Sequence, residues 1–183
     1  MKGIVARRLP LFLLIAVGGC ALDLWTKHVM FRRLGPPGGE IDWIWPEYFG
    51  WQTALNQGAL FGFGQGKVWI FAALSVGAGL AILYWLFIAG AARDLLLTIA
   101  LSAVMGGVLG NLYDRLGLWS EGLDPRFPRY AVRDWIMVRY NADWVWPNFN
   151  IADMLLVGGA GLLMLHAWRT PASTEAPAAS QSA

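Results

Sequence analysis

The chain has 183 residues, of which 57% are hydrophobic, only 14% are charged and 11 are tryptophan, and this composition excludes an ordinary soluble domain. A net charge of +2 with scattered Lys and Arg gives no basis for nucleic-acid binding. One Cys and two distant His exclude a disulfide framework and a metal cluster, so neither a metal nor another cofactor is expected.

Four apolar stretches are long enough to span a membrane, which requires about 20 residues for a hydrocarbon core of about 30 Å. They are predicted at 9–26, 68–92, 95–113 and 150–168. Only Arg93 and Asp94 separate the second span from the third, which predicts a helical hairpin. The predicted fold is an all-α membrane protein with four transmembrane helices, whose connections at 27–67 and 114–149 lie opposite the termini.

The polar motifs of the chain fall on the side of these two connections. Because successive spans run in opposite directions, we expect these motifs to meet at one membrane surface, whichever side is the cytoplasm. They comprise Asp23 and Lys27 at the end of the first span, Asn111, Asp114 and Arg115 at the end of the third, Asn150 and Asp153 at the start of the fourth, and Asn56 and Asp134 in the connections.

The distribution of positive charge gives a divided prediction of orientation. Five of the 14 Lys and Arg lie on the side of the termini and nine on the other, which contradicts a cytoplasmic N-terminus under the positive-inside rule. Lys2, Arg7 and Arg8, however, flank the first span and favour a cytoplasmic N-terminus. We predict this orientation, partly because of the family resemblance described below.

The first segment also has an alternative interpretation. A basic start, an apolar run and the sequence Val17-Gly18-Gly19-Cys20 resemble a signal peptide with a lipoprotein-type cleavage site. Three further spans and the paired Asp23 and Lys27 favour an uncleaved first helix.

Residues 31–66 are rich in Gly, Pro and Trp, and two pieces at 41–45 and 49–55 alternate loosely, which predicts short strands. We expect a small sheet on the membrane surface and a disordered tail at 170–183. Six tryptophans are predicted at headgroup level, where indole is favoured: Trp43, Trp45, Trp51, Trp135, Trp144 and Trp146.

Two aspartates are candidates for chemistry at this surface. Asp153 precedes an uncharged run, and an ionisable group there is costly enough to indicate function. Its alternative role is structural, because Asn150-x-x-Asp153 has the form of a capping box. Asp134 lies in an amphipathic stretch, and its alternative is a surface aspartate paired with Arg133 or Arg129.

The end of the third span carries glycines and polar residues at helical spacing. Gly106 and Gly110 are four residues apart, which allows close helix packing in a bilayer. Gly107, Asn111 and Arg115 share another face, which would project an amide and a guanidinium toward the fourth span. The alternative is packing glycines beside an exposed Asp114–Arg115 pair.

Two further motifs have structural interpretations when taken alone. Asp23 and Lys27 have the favourable i,i+4 order of an ion pair. Residues 56–62, with Asn56 at their head, form a glycine-rich turn.

Taken together, these motifs resemble the signature blocks of lipoprotein signal peptidase (signal peptidase II), over about residues 9–168. The blocks appear in order as Asp23-x-x-x-Lys27, Asn56-x-Gly58-x-x-Phe61-Gly62, Gly106-Gly107-x-x-Gly110-Asn111-x-x-Asp114-Arg115, Val132-x-Asp134 and Phe149-Asn150-x-Ala152-Asp153.

The resemblance implies a bacterial inner-membrane aspartyl protease with a periplasmic β-cradle. Such a protease removes signal peptides from prolipoproteins by cleaving just before a Cys that carries diacylglycerol. By motif, Asp134 and Asp153 are the catalytic dyad. The matched polar, substrate-contacting shell is Asn56, Gly58, Gly107, Asn111, Arg115 and Asn150, and the matched structural residues are Asp23, Lys27 and Asp114.

The same resemblance implies one peptidase domain at 1–169, with the β-cradle at 31–66, a periplasmic connection with an amphipathic segment at 114–149, and a cytoplasmic tail at 170–183. The implied partners are diacylglyceryl-modified prolipoproteins and membrane lipids, without nucleic acid, and a monomer is expected.

One departure concerns residues 116–131, which are longer than the family's usual link and contribute another acid, Asp124. Asp143 follows downstream. Asp134 is preferred as the catalytic residue because Val-x-Asp followed by an aromatic residue fits the motif, while the insertion leaves the lid over the site undefined.

Two rival functions remain. A small transporter or channel subunit would use Asp23, Lys27, Arg115 and Asp153 as an ion path, which requires polar residues along whole helices. A non-enzymatic lipoprotein would be anchored at Cys20 and would lack the first segment.

Overall fold

A computed structural model describes residues 2–58, 63–120, 124–141 and 143–169 of the chain. Three parts of the sequence predictions lie outside these ranges. They are residues 59–62 of the glycine-rich turn, residues 121–123 of the insertion, and the tail at 170–183.

Four helices in the described residues are long and apolar enough to cross a membrane, which confirms the predicted number of spans. They are α1 (Lys2–Leu34), α2 (Val68–Leu83), α3 (Leu95–Arg115) and α4 (Ile151–Arg169). A π-helical turn (Tyr84–Ile88) prolongs α2, and the short 3-10 turn Ala91–Arg93 completes the predicted hairpin. The helical path ends at Ile88 rather than at the predicted Ala92, because Gly90 adopts a left-handed φ of 86°.

Helix α1 continues beyond the predicted end at Thr26 as far as Leu34. The extension is stabilised by packing, because one face of its last two turns contacts a sheet. Met30, Phe31 and Leu34 on one face of α1 form a hydrophobic cluster with Trp135 and Ile136.

The sheet has four antiparallel strands in the order β1 (Asp42–Trp45), β2 (Phe49–Asn56), β3 (Val132–Arg139) and β4 (Val145–Phe149). Strands β1 and β2 confirm the prediction for the first connection. The stretch around Asp134, predicted only to be amphipathic, is strand β3, and it pairs with β2 so that Ala54 lies opposite Asp134. The sheet therefore extends beyond residues 31–66 and draws on both connections.

Strand β3 is central, and its residues from Val132 to Met137 are buried. Trp135 does not present its indole to headgroups, because its side chain is only 7% exposed and packs between the sheet and α1. Trp45 and Trp144, at the far ends of the strands, are each 65% exposed and remain compatible with the predicted position at headgroup level.

Helix α3 is the most buried span and packs closely against two neighbours. A Cβ at Gly106 would lie 3.1 Å from the carbonyl oxygen of Ala16 in α1, so the predicted close packing through this glycine is confirmed. On the other face, a Cβ at Gly107 would clash with the carbonyl oxygen of Ala152 in α4. Glycine on both faces thus lets α3 touch the backbones of α1 and α4.

We predict that Gly107→Ala forces α3 and α4 apart and lowers the free energy of unfolding by about 1–3 kcal/mol, as overpacked interiors do. The melting temperature in detergent micelles measures this change. The matched control is Gly161→Ala in α4, whose added Cβ would meet no atom within 4 Å. Equal melting temperatures for the two variants would contradict the close contact.

Candidate active site

Asn150 and Asp153 form a reciprocal capping box at the start of α4. The side-chain oxygen of Asn150 accepts from the Asp153 backbone N–H at 3.0 Å, and the Asp153 carboxylate accepts from the Asn150 N–H at 3.2 Å. The predicted cap is confirmed. Because the cap fixes the Asp153 rotamer, it also holds the carboxylate at the mouth of the helix.

Asp134 comes from strand β3 and is only 2% exposed. The Asn150 amide donates to one of its oxygens at 2.6 Å, so Asn150 joins the two carboxylates directly. Burial, and then the Asp153 charge, raise the pKa of Asp134 well above its ordinary value, against opposing effects of Lys27 and of hydrogen bonds from Asn150 and Asn56. The alternative of a surface aspartate is wrong.

The orientation of the Asn111 amide in α3 is determined by Lys27. The Lys27 ammonium can only donate, and it binds the Asn111 oxygen at 2.9 Å. The Asn111 NH₂ group is then directed at Asp153, to which it donates at 2.9 Å. Asn111 therefore transmits the position of Lys27 to one member of the aspartate pair.

Lys27 is fully buried, and two carboxylates neutralise it. Asp23 lies 2.7 Å and Asp114 3.1 Å from its nitrogen, so the predicted Asp23–Lys27 pair is confirmed. The other oxygen of Asp23 accepts from the backbone N–H of Ala152 at 2.9 Å. This bond satisfies a first-turn N–H group of α4 that has no partner within the helix.

From sequence, Arg133, the residue before Asp134, is only a candidate surface partner for Asp134. Its guanidinium instead binds Asp114 at 2.8 and 3.1 Å, and its backbone N–H donates to the other Asp114 oxygen at 2.9 Å. A basic residue beside a candidate catalytic aspartate was the available signal. Its partner is remote in sequence, so the pairing was missed.

Arg115 takes its direct partners from two other elements. Its guanidinium donates to the Gly58 carbonyl at 3.2 Å and lies 5.5 Å from the centre of the Phe71 ring in α2. It also shares the cavity with Asp153 of α4, as the predicted projection toward the fourth helix requires. The alternative of an exposed Asp114–Arg115 pair is wrong, because Asp114 is buried. Gly58 belongs to a tight turn, in which its backbone N–H donates to the side-chain oxygen of Asn56 at 2.9 Å.

These groups surround a cavity of about 640 Å³ between the sheet, α3 and α4. Of the residues singled out from sequence, those that line it are Asn56, Gly58, Asn111, Arg115, Asp134 and Asp153. Gly107 and Asn150 lie behind its wall, Gly107 at the α3–α4 contact and Asn150 between the two aspartates.

The described part of the insertion does not line this cavity. Asp124 instead forms an ion pair with Arg126, at 2.6 Å, near the C-terminal end of α1. Asp143 is exposed near the turn between β3 and β4. The geometry therefore favours Asp134 over either of these acids as the partner of Asp153.

Comparison with known proteins gives a consistent result. A family model described as Signal peptidase (SPase) II matches residues 15–169. The lipoprotein signal peptidase of Rhodopirellula baltica is 49% identical over 89% of this chain and 74% of its own length. That of Symbiobacterium thermophilum is 35% identical over 85% and 93%, respectively.

Two solved structures of bacterial membrane enzymes share the fold. One, determined at 2.3 Å resolution, is 28% identical with a TM-score of 0.72 and covers 87% of this chain and 88% of its own. The other, at 1.9 Å, is 26% identical with a TM-score of 0.71 over 88% and 95%.

We predict that Lys27→Met destabilises the protein by about 3–5 kcal/mol, because Asp23 and Asp114 would be left as buried charges with one cation fewer. Thermal unfolding in micelles measures the loss. The control is Arg33→Gln, which breaks a pair with Asp42 whose side chains are 60% and 41% exposed. That pair should contribute less than about 1 kcal/mol. Similar losses in both variants would contradict the assigned role of Lys27.

Proposed function

The chain belongs to the signal peptidase II family, and we propose on this basis that it removes signal peptides from prolipoproteins as an aspartyl endopeptidase. It is a bacterial membrane protein with four helices able to span the bilayer. The observation that carries the aspartyl mechanism is the presence of Asp134 and Asp153 in one cavity wall, joined by Asn150. Residues 1–169 would act as one peptidase domain.

The two carboxylates have different environments, which supports different roles. Two carboxylates held close do not both ionise readily, so one keeps a proton. We assign this proton to Asp134, whose pKa is raised by burial and by the Asp153 charge. Asp153 is the anion, and it is stabilised by the N-terminus of α4 and by donors from Asn150 and Asn111.

Peptide hydrolysis then requires an activated water and a stabilised oxyanion. Ionised Asp153 takes a proton from water as the water attacks the scissile carbonyl. Asp134 donates its proton to the carbonyl oxygen and stabilises the tetrahedral intermediate. The proton taken by Asp153 is available for the leaving nitrogen. The guanidinium of Arg115 lies in the same cavity wall, and its positive charge stabilises the single negative charge of the aspartate pair.

The cavity suits a substrate held partly in lipid. Leu156 and Val157 in the spanning part of α4 form an apolar wall, and Val157 is exposed. The cavity wall formed by the sheet consists in part of Ala54 and Leu55 of β2 and Pro147 of β4. We propose that acyl chains stay in the bilayer while the peptide enters beside the sheet, which places the scissile bond just before the lipidated Cys.

The proposed location is the inner membrane, with termini in the cytoplasm and the cavity at the periplasmic face. A simple count of Lys and Arg opposes this orientation, because most of them lie on the cavity side. Many of these cations are engaged within the protein, which supports the proposed orientation. Those with acidic, amide or carbonyl partners are Lys27, Arg33, Arg115, Arg126 and Arg133.

The rival functions have less structural support. Thr98 and Ser102, the buried polar residues in the first half of α3, donate to backbone carbonyls at the start of this helix, so they form no polar path that continues from Asn111 and Asp114 along the span. A lipoprotein cleaved before Cys20 would lose Ala16, against which α3 packs through Gly106. The first observation opposes a transporter, and the second opposes a lipoprotein cleaved before Cys20.

The first test is cleavage of a diacylglyceryl-modified prolipoprotein by the purified chain and its variants. Asp134→Asn and Asp153→Asn should each lower kcat by about 10²–10⁴-fold, because each removes a proton-transfer group. Asp124→Asn is the matched control and should cleave normally. All three variants must keep the wild-type melting temperature.

Other results would change the assignment. An inactive Asp124→Asn beside an active Asp134→Asn would move the dyad to the insertion. No cleavage by the wild type would overturn the proposed function.

The pH dependence tests the assignment of the proton. Asp134 must be protonated to act as the acid, so activity should fall as pH rises through its pKa. Because that pKa is raised above the ordinary 3.8, the alkaline limb of kcat/KM should lie above this value. The limbs report the coupled pair as a whole. A profile without an alkaline limb attributable to a carboxyl group would contradict the assignment.

A further inference from the structure

The connection between α3 and β3 is described at residues 116–120 and 124–131, and none of these residues contributes to the cavity wall. Trp119 contacts β3 at Arg133, whose side chain does not line the cavity either. A second cavity of about 350 Å³, at the C-terminal end of α1, is lined by Trp119, Asp124 and Phe127. The described part of this connection therefore packs behind the active site rather than over it.

Trp119 ties together the two ends of this connection. It follows a turn at Gly117 directly after α3, and its indole N–H donates at 3.2 Å to the carbonyl of Ala131, the residue before β3. Its ring also meets the ring of Phe31 in α1 edge-on, with 6.0 Å between centroids. Three elements thus fix the position of the indole.

The face of this indole covers Arg133. The guanidinium carbon lies 5.0 Å from the ring centroid, and the arginine is only 5% exposed. A cation on an aromatic face is held more strongly when water is excluded. Trp119 therefore restricts a guanidinium that already donates twice, through Nε and Nη2, to one oxygen of Asp114.

Arg133 fixes the strand next to Asp134. Its backbone N–H is held by Asp114 at 2.9 Å, and its carbonyl accepts from the Asn150 amide at 3.4 Å. That same amide donates to Asp134. A shift of Arg133 would therefore move both Asp134 and the residue that joins it to Asp153.

We propose that Trp119 and Arg133 are positioning residues for Asp134: the indole holds the Arg133–Asp114 ion pair, and this pair holds the strand that carries the dyad's acid. The inference rests on the proposed function, since it assigns these residues a part in the same reaction. Neither side chain lines the cavity, so substrate binding does not depend on them directly.

A pH readout separates positioning from simple stability. Asp134 faces Asp153 from α4, Lys27 from α1 and Arg115 from α3, together with the Asn56 and Asn150 amides. Trp119→Leu leaves these charges unchanged. If it lets strand β3 relax and admits water, the burial that raises the pKa of Asp134 is weakened, and the alkaline limb moves to lower pH.

The experiment measures kcat, KM and the pH profile of the full chain in nanodiscs, with a diacylglyceryl-modified prolipoprotein as substrate. Trp119→Leu should lower kcat about tenfold with KM unchanged and shift the alkaline limb downward. Trp119→Phe keeps a ring over Arg133 and should stay within about threefold of wild type. The control Trp144→Leu removes a tryptophan that is 65% exposed and does not line the cavity, and should behave as wild type.

Each outcome decides between the two claims. If wild type and Trp144→Leu both fail to cleave, the proposed function falls and this inference falls with it. If they cleave and Trp119→Leu matches them in kcat and pH profile, only the inference is overturned. A raised KM with unchanged kcat would also overturn it, because it would place Trp119 in substrate binding.

A second variant covers the case in which Trp119→Leu does not fold. Arg133→Lys keeps the charge but cannot bind Asp114 through a fork. It should lower kcat about tenfold at unchanged KM. Wild-type kcat in this variant would overturn the inference.

Discussion

The architecture depends on the buried ammonium of Lys27. A charge without access to water is tolerated only when hydrogen-bonded partners compensate it. Lys27 takes one partner from α1 and two from α3, namely Asp23, Asp114 and Asn111. Each partner uses its remaining capacity on another element: Asp23 on α4, Asp114 on β3, and Asn111 on Asp153. Neutralising one cation therefore sets the relative positions of the elements that carry the two aspartates.

The aspartate pair combines two kinds of local environment through a single residue. Asp134 lies on a central strand, where burial favours the protonated form. Asp153 lies at a helix N-terminus, where backbone N–H groups favour the anion. Asn150 serves both, because its backbone and side chain cap α4 while its amide binds Asp134. A strand and a helix thus supply the asymmetry that acid–base catalysis requires.

Much of the architecture could be predicted from sequence because its causes are local. Span length follows from runs of apolar residues, and the capping box follows from the spacing of Asn150 and Asp153. The meeting of the polar motifs at one surface follows from the alternation of four spans. Glycine spacing in α3 likewise indicated close packing, because helical periodicity places Gly106 and Gly110 on one face.

Only the tertiary structure decided how the second connection is used. Strand pairing joins residues far apart in sequence, so β3 became recognisable as a central strand only beside β2. The burial of Trp135 and the direct partner of Arg115 could not be predicted from sequence for the same reason, since they depend on α1 and on the turn at Gly58. The sequence by itself determined the spans, the cap and the side on which the polar residues gather. Tertiary packing chose the partner of each charge, because a buried ion pair depends on which elements exclude water around it.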